Sequence, residues 1–189
     1  MIESKQELKD WLRYEKKFYN MNGMLRKLFY LFTANEKYIL WKFQYRLRLT
    51  EYYKNTNKLI RYVFSLKKLN YYRNKYSLHI ELNVFDRGLQ IMHLGPILTN
   101  SRVKCGENCA IHINVAMVAK GISKEAPQIG SNVVIGVGST LVGGVKISDG
   151  IAIGANSIVT KSFEEKDICI AGNPCRKINN NGREAWESA

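Results

Sequence analysis

Two histidines, His93 and His112, stand nineteen residues apart in the segments Ile91-Met92-His93-Leu94-Gly95 and Ala110-Ile111-His112-Ile113-Asn114. A neutral imidazole has the basicity to take a proton from an alcohol whose oxygen is attacking a thioester, and direct transfer of that kind needs no nucleophilic Ser or Cys. An isolated histidine on a strand reads as a surface hydrogen-bonding residue; the sequence around His93 is what favours chemistry. His112 reads equally as a second active-site group or a structural one. It lies three places after Cys109, but no second close pair of ligands completes a zinc site, so no metal is expected. Cys105, Cys109, Cys169 and Cys175 form no CxxC pair and read as reduced, small apolar fillers.

The surrounding sequence repeats with a period of six. From Phe85 the apolar anchors run Ile91, Ile97, Val103, Cys109 and Val115, and after an interruption Ile129, Ile135, Leu141, Ile147, Ile153 and Val159. Four places after anchors of the second run stand Val133, Ser139, Val145, Ile151 and Ser157. This period suits neither a helix nor an alternating strand, but it fits a short strand and a turn repeated around a triangular coil. Three hexads make a coil of about eighteen residues, stacked at the usual strand spacing of ~4.8 Å. His93 and His112 then fall on neighbouring rungs. Val115 to Ile129 takes fourteen residues where two hexads take twelve, so residues 119–127 are expected to bulge out as a loop. Residues 171–189, beginning Ala171-Gly172-Asn173-Pro174, break the period and are expected to leave the prism as a tail.

Charge divides the chain. Residues 1–78 hold 18 Lys+Arg against 6 Asp+Glu and 18 of the 21 aromatic residues, whereas residues 79–189 hold 11 against 10. Three domains follow: a basic, aromatic helical segment over 1–78, the β-helix over 79–170 and the tail. Ser4 and Glu7 form a capping-box pattern ahead of Leu8, Trp11 and Leu12. A second helix fits Glu36 to Tyr53, with Ile39, Leu40, Phe43 and Leu47 on one face, and a third fits Lys58 to Tyr76, with Leu59, Val63, Leu66 and Leu69. The basic surface suits a solvated or partner-packed face or an anionic bilayer; nucleic acid is disfavoured because no recognition motif accompanies the charge. No run reaches the ~18 apolar residues of a membrane span and no signal peptide opens the chain, so a cytoplasmic location is expected, with peripheral contact at the inner membrane face compatible with it.

Residues 79–178 resemble the left-handed β-helix acetyltransferases of the serine acetyltransferase type, and most closely those that O-acetylate capsular or other surface polysaccharides. The likeness is carried by Asn83-Val84-Phe85 with the turn Asp86-Arg87-Gly88, the His93 segment, the Ile111-His112 rung, the Ile-Gly repeats at Ile129, Ile135 and Ile153, and Ala171-Gly172-Asn173-Pro174. The resemblance implies a homotrimer with active sites between subunits, acetyl-CoA as co-substrate and His93 as general base. It also implies a coenzyme path along Ala119, Val137 and Ala155, with Lys161 and Lys177 nearest its phosphates; for those lysines an ordinary exposed face is the competing reading.

The chain departs from serine acetyltransferases at two places. That family holds a carboxylate before the catalytic His, where this chain has Met92, and an Arg-His pair in the loop that here reads Lys124-Glu125-Ala126-Pro127. The acceptor is therefore expected to meet Asn83, Met92 and Lys124, and a neutral sugar hydroxyl fits better than the charged ends of serine. Glu81 is the nearest acidic candidate to orient His93, with Asn83 or a backbone carbonyl as alternatives and an exposed strand-edge charge as the plain reading. The leading expectation is transfer of acetyl from acetyl-CoA to a hydroxyl of a surface polysaccharide or its sugar precursor, with a lipid-linked precursor among the acceptors. The enzymatic alternative is serine O-acetyltransferase, and the non-enzymatic one is a β-helix scaffold or binding module.

Overall fold

The computed structural model describes residues 1–187 apart from Asn22 and Ser123. Ser123 of the expected loop and Ser188 and Ala189 of the expected tail therefore lie outside the described residues. The chain divides into two compact units, residues 1–78 and 79–189.

The first unit is built from α1 (Lys5–Glu15), α2 (Met24–Phe32), α3 (Glu36–Asn55) and α4 (Leu59–Tyr76). Ser4 caps α1: its Oγ accepts the Glu7 N–H at 3.1 Å, and Glu7 Oε2 accepts the Ser4 N–H at 2.8 Å. Leu8 joins Ile2 and Tyr52 in a buried cluster against which Trp11 and Leu12 pack. On α3, Leu40, Phe43 and Leu47 are buried as the helical spacing predicts, together with Arg48 and Glu51. The face expected for α4 is corrected: Leu69 is buried, but Leu59 and Val63 are exposed and Ser65 turns inward instead. The cause is a polar contact, because the Ser65 and Thr50 hydroxyls meet at 2.7 Å between α3 and α4, and a small residue is needed there. Helix α2 has no counterpart in the sequence expectation. No side chain caps its start at Gly23, and none of its residues is buried.

Beneath α1 and α3 lies an ion triad with no access to solvent. Arg48 Nη2 is 2.7 Å from Glu15 Oε1 and Arg48 Nη1 is 2.9 Å from Glu51 Oε2, while the guanidinium sits 4.9 Å from the centroid of the Trp11 ring.

The second unit is a left-handed parallel β-helix. Its first face carries β1 (Leu78–His79), β3 (Ile97–Thr99), β6 (Val115–Val118), β9 (Thr140–Val142) and β12 (Ile158–Val159). The second carries β4 (Lys104–Cys105), β7 (Gln128–Ile129) and β10 (Lys146–Ile147), and the third β2 (Gln90–Ile91), β5 (Ala110–Ile111), β8 (Val134–Ile135), β11 (Ala152–Ile153), β13 (Cys169–Ala171) and β14 (Arg176–Asn179). Corners need the left-handed backbone region, which Asn108, Asn132 and Asn156 occupy with φ of 57°, 58° and 53°.

Every sixth-residue anchor is buried, yet the register corrects how they stack. On the second face Cys105 pairs with Ile129 and Ile129 with Ile147; on the third, Ile91, Ile111, Ile135 and Ile153 align; on the first, Thr99, Met117, Leu141 and Val159 align. Ile97, Val103, Cys109 and Val115 belong instead to a second inward column two residues earlier, the column of Val133, Ser139 and Ser157. Both columns face the interior, so counting by six from Phe85 crosses from one to the other without meeting a polar residue. The crossing lies between Ile91 and Thr99, where the corner Met92–Pro96 holds two extra residues. The later loop is longer than the anchor count predicts: Lys104 pairs with Gln128, a step of twenty-four against the eighteen from Gln128 to Lys146, so a whole hexad is extruded.

The expectation that the tail leaves the prism is also corrected. Strand β13 adds another parallel rung to the third face and β14 turns back antiparallel to it, after which α5 (Glu184–Glu187) ends the described chain. The buried hydroxyls of the second column are satisfied: Ser139 Oγ donates to Gly154 O at 2.9 Å and Ser157 Oγ accepts the Gly172 N–H at 3.1 Å.

Replacing Arg48 with Ala leaves Glu15 and Glu51 buried without their cation. We expect a loss of about 3–5 kcal/mol in urea denaturation of the helical unit. A loss below about 1 kcal/mol, the size typical of an exposed pair, would show that water reaches the triad.

Candidate active site

The two-residue excess at Met92–Pro96 lengthens the corner between the third and first faces, and it is this corner that carries His93. Its ring is exposed, as a bulged corner residue should be. His112 sits at the same corner one coil on, directly after the inward Ile111, and the two rings lie 6.3 Å apart between centroids. Met92 donates its N–H to Ile111 O at 3.0 Å, and His112 donates to Ile135 O at 3.1 Å, so Met92, His112 and Gly136 form one column across successive rungs. Val137 and Ala155 continue the same corner: the Gly138 N–H reaches Ile113 O at 3.1 Å and the Asn156 N–H reaches Val137 O at 2.8 Å.

Several other candidates fall elsewhere. Ala119 follows β6 at the corner between the first and second faces, where the extruded loop begins. Glu81 and Asn83 also lie between those faces, since the Glu81 N–H is 2.9 Å from Thr99 Oγ1 and Asn83 O accepts from Lys104 Nζ at 2.8 Å. The structure therefore does not bring Glu81 and His93 to one corner. Lys124 is exposed on the extruded loop. Lys177 Nζ is held 2.6 Å from Glu165 Oε1, and Lys161 Nζ lies 5.3 Å from the centroid of the Phe163 ring.

Burial first, and the neighbouring His93 second, push the His112 imidazole below its usual pKa, which keeps it neutral near pH 7. Its Nε2 is buried and has no hydrogen-bond partner. The half-buried His112 ring thus stands beside the exposed His93 ring. The Cys105 and Cys109 thiols contribute nothing reactive, because burial pushes Cys109 up to about 12 and Cys105 well above its ordinary value. Among the described residues no cluster of His, Cys, Asp and Glu could hold a metal ion, and no helix is long and apolar enough to cross a membrane.

One neighbour of the histidines has no signal in the repeat. Trp186, on α5, places its ring 4.9 Å from that of His112 at 43°. Only its aromatic character could have drawn attention to it, since it is the one tryptophan outside the helical unit.

No family model matches the chain. A serine acetyltransferase of Staphylococcus epidermidis is 35% identical over 89 residues, which cover 43% of this chain and 41% of that protein. A serine acetyltransferase of Synechococcus elongatus is 29% identical over 98 residues, 51% of this chain and 40% of that one. The chain thus aligns with less than half the length of these curated relatives. Among solved structures, serine acetyltransferase from Brucella abortus in complex with coenzyme A superposes with a TM-score of 0.75 at 20% identity, covering 94% of this chain and 70% of that one. At that identity the likeness establishes the fold, a serine acetyltransferase-type hexapeptide-repeat β-helix.

Because the folded pKa of His112 lies below the ordinary 6.5, the unfolded chain binds that proton more tightly. Stability should therefore fall as pH drops through about 6.5 toward the folded value. A proton NMR titration of the imidazoles should show one resonance, lost in His112→Gln, with its midpoint under 6.5. A midpoint at or above 6.5 would remove the basis for a neutral His112.

Proposed function

We propose that this chain is an acetyl-CoA-dependent O-acetyltransferase with His93 as general base. The observation that carries the reading is the exposed His93 on a lengthened corner, 6.3 Å from the shielded His112. The exposed imidazole accepts the proton of an acceptor hydroxyl while the oxygen attacks the thioester carbonyl. The resulting oxyanion is stabilised by backbone N–H groups of the corner, and the imidazolium returns the proton to the departing thiolate of coenzyme A. Val137 and Ala155, at the same corner, leave room for the pantetheine arm, and Lys161 and Lys177 are the cations offered to its phosphates. Asn83 and Lys124 are held as acceptor-side candidates and Glu81 as the candidate to orient His93, each of which a neighbouring subunit would have to bring to the site, which requires the homotrimer implied by the resemblance.

For the acceptor, the similarity to serine acetyltransferases in both sequence and fold favours serine. A specific observation favours a second reading, a glycan or sugar hydroxyl: Met92 shares the column of His112, and the loop offers Lys124-Glu125-Ala126 where a carboxylate-binding pair would be needed. A peripheral contact with an anionic bilayer belongs to that second reading. It is supported by helix α2, whose Met24, Leu25, Leu28, Phe29, Leu31 and Phe32 are all more than half exposed, in a segment bearing 18 basic against 6 acidic residues.

Incubating the protein with acetyl-CoA and following thiol release decides among these. With L-serine as acceptor we expect turnover, and His93→Ala should lower it by about 10²-fold or more. Turnover with sugars or glycan fragments but not serine would transfer the conclusion to the second reading, and full activity in His93→Ala would end the proposal. In flotation with phosphatidylglycerol vesicles at low salt, Phe29→Glu/Phe32→Glu should reduce the floated fraction; failure of the unmodified protein to float removes the membrane contact alone.

A further inference from the structure

The C-terminal segment crosses the outside of the third face from one corner to the other. At the corner between the second and third faces it is pinned: the Arg183 N–H donates to Gly150 O at 2.9 Å, the Arg183 guanidinium donates to Asn108 O, and Cys169 Sγ reaches Gly182 O at 3.4 Å. Gly182 permits the approach, because a Cβ there would lie 2.7 Å from Gly150 O and from the Asp167 carbonyl carbon. At the other corner the Trp186 ring lies 4.9 Å from that of His112, tilted at 43°. The outward-pointing residues beneath the crossing, Ala110, Val134 and Ala152, are at most 4% exposed, whereas the equivalent positions on the second face, Lys104, Gln128 and Lys146, are exposed.

His112 Nε2, on the ring that Trp186 contacts, is buried and has no hydrogen-bond partner. A buried nitrogen in that state is unfavourable, and a hydroxyl placed against it would relieve the cost. The covering element is weakly held at this end. Helix α5 has only four residues, too few to persist without packing, and the Trp186 side chain keeps 38% of its surface exposed.

We infer that Trp186 is a displaceable cap on the acceptor side of the histidine pair: it occupies the space beside His112 Nε2 until a hydroxyl-bearing acceptor takes its place. The inference rests on the acetyltransferase reading for the identity of what enters, but not for the existence of the cap. The Arg183 and Gly182 contacts act as the hinge, so only the last turn has to move. Any acceptor then competes with the indole, and its apparent affinity is reduced by the fraction of molecules in which the cap is closed.

Two measurements on the full chain test this. Diethyl pyrocarbonate, with peptide mapping of the modified imidazoles, should label His112 about fivefold faster in Trp186→Ala than in the unmodified protein, a ratio corresponding to a cap closed in most molecules. His93, already exposed, serves as the internal reference and should be labelled at the same rate in both; equal rates at His112 overturn the cap. In the thiol-release assay with L-serine, Trp186→Ala should lower KM for serine by about threefold or more while leaving kcat and KM for acetyl-CoA unchanged, and Trp186→Phe should behave as the unmodified protein. A raised or unchanged KM for serine would overturn competition by the indole. If no acceptor is turned over at all, the acetyltransferase reading fails while the labelling ratio still decides the cap. Should Trp186→Ala not fold, the labelling ratio and KM are read in Trp186→Ser against Trp186→Phe, with the same outcomes required.

Discussion

The β-helix depends on one constraint: each rung must stand directly over the last at strand spacing, with two side chains per strand turned into a narrow triangular interior. Backbone N–H and carbonyl groups of consecutive coils satisfy one another along the axis, as from Ala110 to Val133 and from Val134 to Ile151. A residue added within a strand would turn every following side chain over, which buried columns on three faces do not tolerate. Added length is therefore confined to corners. The two places where it occurs, Met92–Pro96 and the loop after β6, are where the chain departs from simple repetition and where the candidate chemistry collects.

Most of the fold was legible because its rule is short and written many times over. The anchors, the corner asparagines and the division near Leu78 can all be read without coordinates. Less legible was which of two inward columns each anchor occupies. Ile97, Val103, Cys109 and Val115 are as apolar as Thr99, Cys105, Ile111 and Met117, so the displacement at the His93 corner leaves no polar mark in the count of six. The extruded loop was underestimated because a whole hexad leaves a count of six unchanged; the two residues in excess between Val115 and Ile129 are the column shift of the His93 corner being undone.

The helical unit was legible where periodicity is tied to burial and illegible where it is not. Capping at Ser4 and the Leu40–Phe43–Leu47 stripe are local signals whose packing agrees with them. Leu59 and Val63 follow the same spacing but face outward, because the Thr50–Ser65 hydroxyl contact sets how α4 lies on α3. Helix α2 turns its apolar side to solvent altogether, an arrangement that no rule based on core packing anticipates. At the site, His93 and His112 were found by residue type and coil length, whereas Trp186 depends on how a non-repeating segment returns to the prism.

The length of the loop after β6 has a consequence for how such a protein can be altered. Because the extruded hexad stands outside the coil, two, four or six residues could be removed from it and the strands on either side would still meet in phase, whereas the same removal within a strand would put every later coil out of step. The prism thus behaves like a ratchet in its own sequence, accepting change in whole teeth along its strands and in arbitrary amounts only where the chain already stands clear of the surface.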